Sequence, residues 1–381
     1  MKIGIVCYPT FGGSGVVATE LGKAFARKGN EVHFITYSEP VRLGSFSKNI
    51  FYHEVRVSDY PLFDYPPYEL LLTSKMVEIA REHSLDLFHV HYAIPHASAA
   101  YNAQHILKAE GINIPYITTL HGTDITLVGR DPSFEPVITF AINQSDIVTA
   151  VSESLKKDTF EHFHINREID VIPNFVCLDS VQKKRKEKAS LKSLYAPNGE
   201  KILSHISNFR AVKRIPDILE IFHRVNKEIP SKLLLVGDGP ERRHIQDQCK
   251  ELNICEDVYI IGKLKSPDEV LSISDLFLLT SENESFGLAA LEAMAYHVPV
   301  ISTNTGGLPE VNKQGFSGFL SDVGDVDEMA KNSLKLLKSD SLLNKFKEQA
   351  FEQANLFNIH NVLPSYEKLY KKVTNVIKST L

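Results

Sequence analysis

The stretch Lys2-Ile-Gly-Ile-Val-Cys-Tyr-Pro-Thr-Phe-Gly-Gly-Ser-Gly-Val-Val-Ala-Thr-Glu-Leu-Gly-Lys-Ala-Phe-Ala-Arg-Lys28 sets the fold. Its first part, Lys2–Cys7, is a short continuous apolar run and reads as a strand buried on both faces. A glycine turn follows, and Ser14–Lys28 carries the spacing of a helix. Read outward, the same unit recurs. Strands are predicted at Glu31–Thr36, Phe51–Val57, Leu85–His91, Pro115–Leu120 and Asp146–Val151. Helical patterns near Tyr68–His83, Pro95–Lys108, Ser133–Asn143 and Ser152–His162 lie between them. Apolar strands separated by helices indicate a parallel sheet covered on both sides.

Residues Asn174–Glu200 interrupt this rhythm with the charge run Lys183-Lys184-Arg185-Lys186-Glu187-Lys188 and then Pro197-Asn198-Gly199. The run reads as a solvated face near a domain junction rather than a nucleic-acid patch. A boundary is expected near residue 175. Beyond it strands are predicted at Lys201–Ile206, Lys232–Gly237, Val258–Gly262, Leu276–Thr280 and Pro299–Thr303. After Asp325 the pattern is helical, with breaks near Ser339–Ser341 and Asn355–Asn361. The class is α/β, with two doubly wound Rossmann-like domains. Such sheets bind ligands beyond the C-terminal ends of their strands, and a cleft between facing domains is the expected site.

A chain of 381 residues exceeds one hydrophobic core and suits two. The formal charge of −5 argues against nucleic acid or an anionic membrane as partner. Neither a secretory leader nor an apolar run long enough to span a bilayer is legible, so a cytoplasmic protein without stable membrane association is expected. The four cysteines, Cys7, Cys177, Cys249 and Cys255, form no CxxC pair and fit a reducing compartment, with Cys7 a small buried apolar residue. No cluster of Asp, Glu or His stands at metal-ligating spacing, so no metal and no cofactor are expected.

Four segments carry chemistry. Gly12-Gly13-Ser14-Gly15 follows the first strand, where glycines admit a ligand to the backbone and a helix start aims amides at negative charge. It is neither GxGxxG nor a Walker loop, and a plain turn stays open. Thr118-Thr119-Leu120-His121-Gly122-Thr123-Asp124 closes a strand, and His89-Val90-His91-Tyr92 closes the preceding one, so alternate side chains can share a pocket. Ser207-Asn208-Phe209-Arg210-Ala211-Val212-Lys213-Arg214 sets three cations just past a strand end, suited to a leaving diphosphate or, blandly, to an exposed turn. The deciding segment is Ser281-Glu282-Asn283-Glu284-Ser285-Phe286-Gly287-Leu288-Ala289-Ala290-Leu291-Glu292-Ala293-Met294. Read as one helix, Glu284 and Glu292 stand ~12 Å apart. That is too far for one acid–base pair but suits hydroxyls at two ends of an extended ligand, such as a sugar and a ribose. Two smaller turns, Gly237-Asp238-Gly239-Pro240 and Thr305-Gly306-Gly307-Leu308-Pro309-Glu310, read as structural and as a source of amides for a diphosphate, respectively.

Taken together these segments resemble the retaining GT-B glycosyltransferases with an E-x7-E motif, which Glu284-x7-Glu292 matches over nearly the whole chain's worth of companion motifs. Tyr8–Val17, His89–His96, Thr118–Ile125 and Ile206–Arg214 look like the synthase family of bacillithiol biosynthesis that transfers GlcNAc from UDP-GlcNAc to the hydroxyl of L-malate. The resemblance implies an N-terminal acceptor-binding domain over 1–175 and 360–381, with the last helix crossing back, and a donor-binding domain over 176–359. It implies that Glu284 holds donor-sugar hydroxyls, Glu292 the ribose, and Arg210 and Lys213 the diphosphate, with amides around Gly13 assisting. Phe286, Gly287 and Leu288 join the donor set, and His121 lies near the sugar 6-hydroxyl. Asn208 stands where many relatives have an arginine. Two malate carboxylates call for hydroxyls, amides and cations, and Ser14, Tyr92, Thr119, Asn208 and Arg210 are the candidates. The resemblance leaves a homo-oligomer open. A different acceptor (a lipid or another sugar), a UDP-sugar epimerase and a nonenzymatic sugar-nucleotide sensor are the rival readings.

Overall fold

The computed structural model describes residues 1–10, 12–44, 47–56, 67–179, 181 and 189–378; the charge run Lys183–Lys188 lies outside them. The chain divides into two compact units, Met1–Asn174 with Ile359–Leu381, and Phe175–Asn358.

In the first unit strands β1 (Lys2–Val6), β2 (Glu31–Thr36), β3 (Ile50–Glu54), β4 (Leu87–His91), β5 (Tyr116–Leu120), β6 (Ile147–Ala150) and β7 (Ile169–Val171) form one sheet in the order β3-β2-β1-β4-β5-β6-β7. Every pair is parallel. Helices α1 (Gly13–Arg27), α2 (Tyr68–His83), α3 (Ser98–Ala109), α4 (Glu135–Gln144) and α5 (Glu153–His162) supply the crossovers. Central strands β1, β4 and β5 are buried almost throughout, as their unbroken apolar runs require. The segment predicted as one helix from Pro95 is instead an irregular turn, Ala93–Ala97, running into α3. Strand β7 was not foreseen, because three residues are too few to show a period.

The second unit repeats the plan. Strands β8 (Lys201–Ser207), β9 (Ser231–Gly237), β10 (Val258–Gly262), β11 (Leu276–Leu279), β12 (Val300–Thr303) and β13 (Gly318–Ser321) run in the order β10-β9-β8-β11-β12-β13, all parallel. Its helices are α6 (Ala189–Tyr195), α7 (Ile215–Glu228), α8 (Arg242–Glu251), α9 (Asp268–Ile273), α10 (Leu288–Ala295), α11 (Leu308–Val311), α12 (Val326–Leu337) and α13 (Asp340–Leu356). The last two follow serine and aspartate caps: Asp325 accepts from the Glu328 amide and Ser339 from the Leu342 amide. Leu203, Phe222, Leu235, Leu278 and Ile301 are fully buried at the centre of its core.

After Asn358 the chain returns to the first unit as α14 (Ile359–Lys378). Tyr366 and Tyr370 on this helix are fully buried. The Tyr370 ring stacks on Phe25 of α1 at 4.6 Å, and its hydroxyl lies 2.6 Å from Nδ1 of His89 on β4. Both sheets change winding direction at their first strand. Beside β1 the neighbours are β2 and β4, and beside β8 they are β9 and β11. At such a switch point two crossovers leave on opposite faces and open a crevice at the strand ends.

Candidate functional site

At the first switch point, β1 runs through Cys7–Thr10 to the glycine turn, and β4 ends at His91. Helix α1 opens on Gly12 with no side chain capping it. Gly13 is exposed, whereas Ser14 on the first turn is nearly buried. The Tyr92 hydroxyl donates to Ser14 Oγ at 2.8 Å, joining the two strand ends. Tyr92 holds φ 88, a strained backbone for a bulky residue, and sits edge-on to Tyr8 at 5.3 Å.

Behind Tyr92 the imidazoles form a line. His89 and His91 point to one face of β4, as period two demands, with rings 4.5 Å apart. His91 Nδ1 lies 2.8 Å from Nε2 of His121, which follows β5. The His121 ring is 5.3 Å from that of Tyr92. Burial holds these rings neutral: His121 and His89 are pulled down to about 3 and His96 to about 4, with His91 well below its ordinary value. His96 Nδ1 bonds the His91 carbonyl. The Nε2 atoms of His91 and His96 are buried without a hydrogen-bond partner.

Asp124 fixes the loop after β5. Its carboxylate accepts from the Ala93 amide at 2.9 Å and the Gly122 amide at 3.1 Å, so it ties the ends of β4 and β5 together. Burial nevertheless raises its pKa. Thr119 leaves the set of ligand-facing groups. Its hydroxyl is fully buried, 2.7 Å from both His89 Nε2 and Thr149 Oγ1, and it serves the interior of the sheet.

At the second switch point the groups are charged. Lys213 Nζ donates to Glu284 Oε2 at 2.6 Å, each side chain about 19% exposed. This partial burial spares the pair much of the screening that a surface pair suffers. Ser281 Oγ reaches the same carboxylate oxygen at 3.3 Å. Arg210 and Asn208 are exposed on the turn after β8, flanking Phe209, which is fully buried at φ 38. The third cation of that turn is spoken for: Arg214 donates to Asp217 at 2.7 Å and starts α7.

Three segments are sewn into one surface. The Glu282 amide donates to the Val212 carbonyl at 2.8 Å, and Thr280 Oγ1 donates to the Lys213 carbonyl at 2.9 Å. From the other side the Gly307 amide donates to the Glu284 carbonyl at 2.8 Å. Gly306, at φ 56, lies so close that a Cβ there would sit 2.1 Å from the same carbonyl oxygen. The turn at Gly237 supports β8 in the same way, since its φ is 133 and a Cβ would sit 1.8 Å from the Ser207 carbonyl oxygen. Both turns are therefore glycine by steric necessity.

The reading of Glu284 and Glu292 on one helix is corrected. Helix α10 starts at Leu288 after Gly287 in a left-handed conformation, so Glu284 stands on the loop and Glu292, half-buried, in the second turn. Phe286 is buried edge-on to Phe357 at 5.7 Å, so it faces the core and offers a ligand only its backbone. Gly287 caps α10 without a side-chain acceptor, and no acidic residue occupies the first turn.

Residues 11–180 match the model of Glycosyltransferase Family 4 and residues 186–353 that of Glycosyl transferases group 1. An N-acetyl-alpha-D-glucosaminyl L-malate synthase of Bacillus anthracis is 48% identical over 375 residues, covering 98% of this chain and 97% of the relative. This chain belongs to the N-acetyl-alpha-D-glucosaminyl L-malate synthase family of glycosyltransferases. A further relative, the 2-deoxystreptamine N-acetyl-D-glucosaminyltransferase of Niallia circulans, is 34% identical over 157 residues, 39% of this chain and 40% of that one. Among solved structures, the Anabaena protein HepE in complex with UDP and glucose superposes with a TM-score of 0.79 over 97% of this chain and 99% of that chain, at 18% identity. That likeness speaks to the two-domain Rossmann-like GT-B fold.

Sequence reasoning quoted His91 and Asp124 within strand-end clusters without giving either a role of its own, and it gave none to His96 or His205. Alternation of His89 and His91 along one strand was the available signal for the imidazole line. His205 had none. It lies inside β8, 2.9 Å from the Leu278 carbonyl and 2.8 Å from Ser207 Oγ, with burial pulling it down to about 4.

Proposed function

We propose that this glycosyltransferase moves GlcNAc from UDP-GlcNAc to the hydroxyl of L-malate with retention at the anomeric carbon, releasing UDP in bacillithiol biosynthesis. The observation that carries it is the Lys213–Glu284 pair at the second switch point, in a chain nearly half identical to a synthase named for that product.

The second unit takes the donor. Arg210 and Lys213 face the diphosphate, where charge grows as the glycosidic bond breaks, and fixed cations there favour the transition state over the ground state. Backbone amides at the start of α10, around Gly287 and Leu288, and those near Gly13 add donors for the same oxygens. Lys213 orients the Glu284 carboxylate, which accepts from sugar hydroxyls, while Glu292 accepts from the ribose. The first unit takes the acceptor. Ser14 and Tyr92 offer hydroxyls to malate, with Asn208 and Arg210 completing its partners. His121, neutral at working pH, hydrogen-bonds the sugar 6-hydroxyl without adding a charge.

In the reaction the malate oxygen bonds to the anomeric carbon as the bond from that carbon to the phosphate oxygen breaks. Attack comes from the face that UDP leaves, and the malate proton passes to the departing phosphate oxygen. No metal takes part, and turnover withstands EDTA. The four cysteines are free thiols and, among the described residues, no helix is long and apolar enough to cross a membrane. A cytoplasmic enzyme accords with both. The identity to the Niallia circulans enzyme supports GlcNAc as the donor sugar and leaves the acceptor to be settled by experiment.

The test is mass spectrometry of products from UDP-GlcNAc offered with a panel of hydroxy acids. The expected result is one GlcNAc adduct, formed with L-malate, and UDP in equal amount. UDP-GlcNAc conversion without any acceptor, or an adduct only with other acceptors, sinks the reading.

A further inference from the structure

On β2, β3 and α2 of the first unit three histidines converge that the transfer reaction does not use. His33 lies on β2, His53 on edge strand β3, and His83 is the last residue of α2. Each presents a ring nitrogen, and these atoms all lie within 4.8 Å of one another. His33 Nδ1 is 2.8 Å from His53 Nε2, and the His33 and His83 ring centres are 4.4 Å apart. Register explains the meeting. His33 pairs with Phe51 and Ile35 with His53, so His33 and His53 are diagonal neighbours on one face. Helix α2 packs on that face and delivers His83 from above.

We propose that His33, His53 and His83 form a binding site for a divalent transition-metal ion of the zinc class. Two observations converge. The ligand set is three imidazoles, a donor type that suits zinc, copper, nickel and cobalt, with a fourth position left for water. The inner ligand is oriented: His33 is fully buried and its other nitrogen, Nε2, lies 2.9 Å from Glu31 Oε1. A carboxylate on the far side of the ring is the arrangement that fixes the tautomer of a metal-binding histidine and raises its basicity. It leaves Nδ1, the atom facing His53, as the ligand atom.

The surroundings fit. Lys2 Nζ donates to the His83 carbonyl at 2.8 Å and stands 3.7 Å from Glu31, so it anchors the end of α2 and balances the carboxylate. Glu82 lies 3.9 Å from His83 Nε2, on the solvent side. His53 and His83 are partly exposed, which gives an ion a path in. Tetrahedral coordination at zinc–nitrogen distances of about 2.0–2.1 Å sets ligand nitrogens roughly 3.3 Å apart, so the His33–His53 contact opens by about half an ångström. The ion then clips the outer strands β2 and β3 to α2. Sequence offered no sign of it, because the three residues come from separate elements.

Cobalt(II) reports the site directly. The full chain, stripped with EDTA, is titrated with cobalt chloride and followed by visible absorption. The expected result is a d–d band of a four-coordinate ion that saturates at one equivalent and is displaced by zinc. His53→Ala and His83→Ala, both at partly exposed positions, abolish the band or weaken binding by at least ~100-fold while far-UV circular dichroism stays native. Glu31→Gln, which removes only the orienting carboxylate, weakens it by about 10–100-fold. UDP release with malate is unchanged in all three variants. Absence of a saturable band, or a band unaltered in His53→Ala and His83→Ala, overturns the site.

Discussion

The two units share a sheet plan and a switch point, yet they dress it with opposite chemistry. Around β1 and β4 stand neutral imidazoles and hydroxyls, several without solvent and two with orphaned nitrogens. Around β8 and β11 stand a lysine and a carboxylate joined by a charge-assisted contact, with an exposed arginine on the same turn as the lysine. A backbone plan sets where ligands go; the side chains at two strand ends set which ligand. A diphosphate rewards fixed positive charge. Neutral imidazoles and hydroxyls, by contrast, can hydrogen-bond a ligand without adding net charge.

The largest effect should come from the charged side. Arg210→Ala and Lys213→Ala should each lower kcat by ~10²–10³-fold at saturating UDP-GlcNAc, measured by UDP release, because both act on charge that develops in the transition state. Unchanged turnover in both removes the asymmetry between the units. Next in size is Gly237→Ala, which forces a Cβ toward the Ser207 carbonyl and tilts the floor of the charged surface. It should cost about 2–4 kcal/mol in urea unfolding of the second unit and leave the first unit's transition in place.

Acid separates the units by the opposite route. His89, His96 and His121 stay neutral in the fold at a pH where free imidazole, ordinarily near 6.5, takes a proton. The unfolded chain thus binds more protons below about pH 6.5, and stability falls as pH drops toward the folded values near 3 to 4. Asp124, raised by burial, works in the other direction but is a single group. Calorimetry should show the first unit losing on the order of 5 °C between about pH 7 and pH 5. The second, with His205 as its comparable group at a strand end, should lose less. Equal shifts would erase the contrast. The smallest effect is that of Tyr92→Phe, which removes the hydroxyl bonded to Ser14. KM for malate should rise by about 10-fold with kcat little changed, and a kcat loss with KM intact would move Tyr92 from acceptor binding to the chemistry.

How much of this was legible follows from what each signal depends on. Continuous apolar runs and glycine turns are local, so most strands of both sheets were placed to within a residue or two; β3 ends at Glu54 rather than Val57, and the short strands β7 and β13 were missed. The charged turn and Glu284 stood out because three cations and an acid cluster just past strand ends. Their mutual contact did not, since 71 residues separate Lys213 from Glu284. Gly287 breaks the helix that spacing alone draws through Glu284. Thr119 and Phe286 have the composition of a site but face inward, and strand parity at an irregular end does not reveal which way a side chain turns. The histidines of β2, β3 and α2 were silent for the same reason as the lysine pair: register brings them together, and register is tertiary.

The helix at the end of the chain has a consequence for biosynthesis. Tyr370 lies deep against His89, made 281 positions earlier, and against Phe25, made earlier still. Until α14 has emerged, the N-terminal half lacks a piece of its interior, whereas the stretch from Phe175 to Asn358 draws only on residues made before that helix. The part synthesised first is therefore the part that matures last, and nascent chains stalled short of α14 should expose an apolar scar that chaperones hold until release.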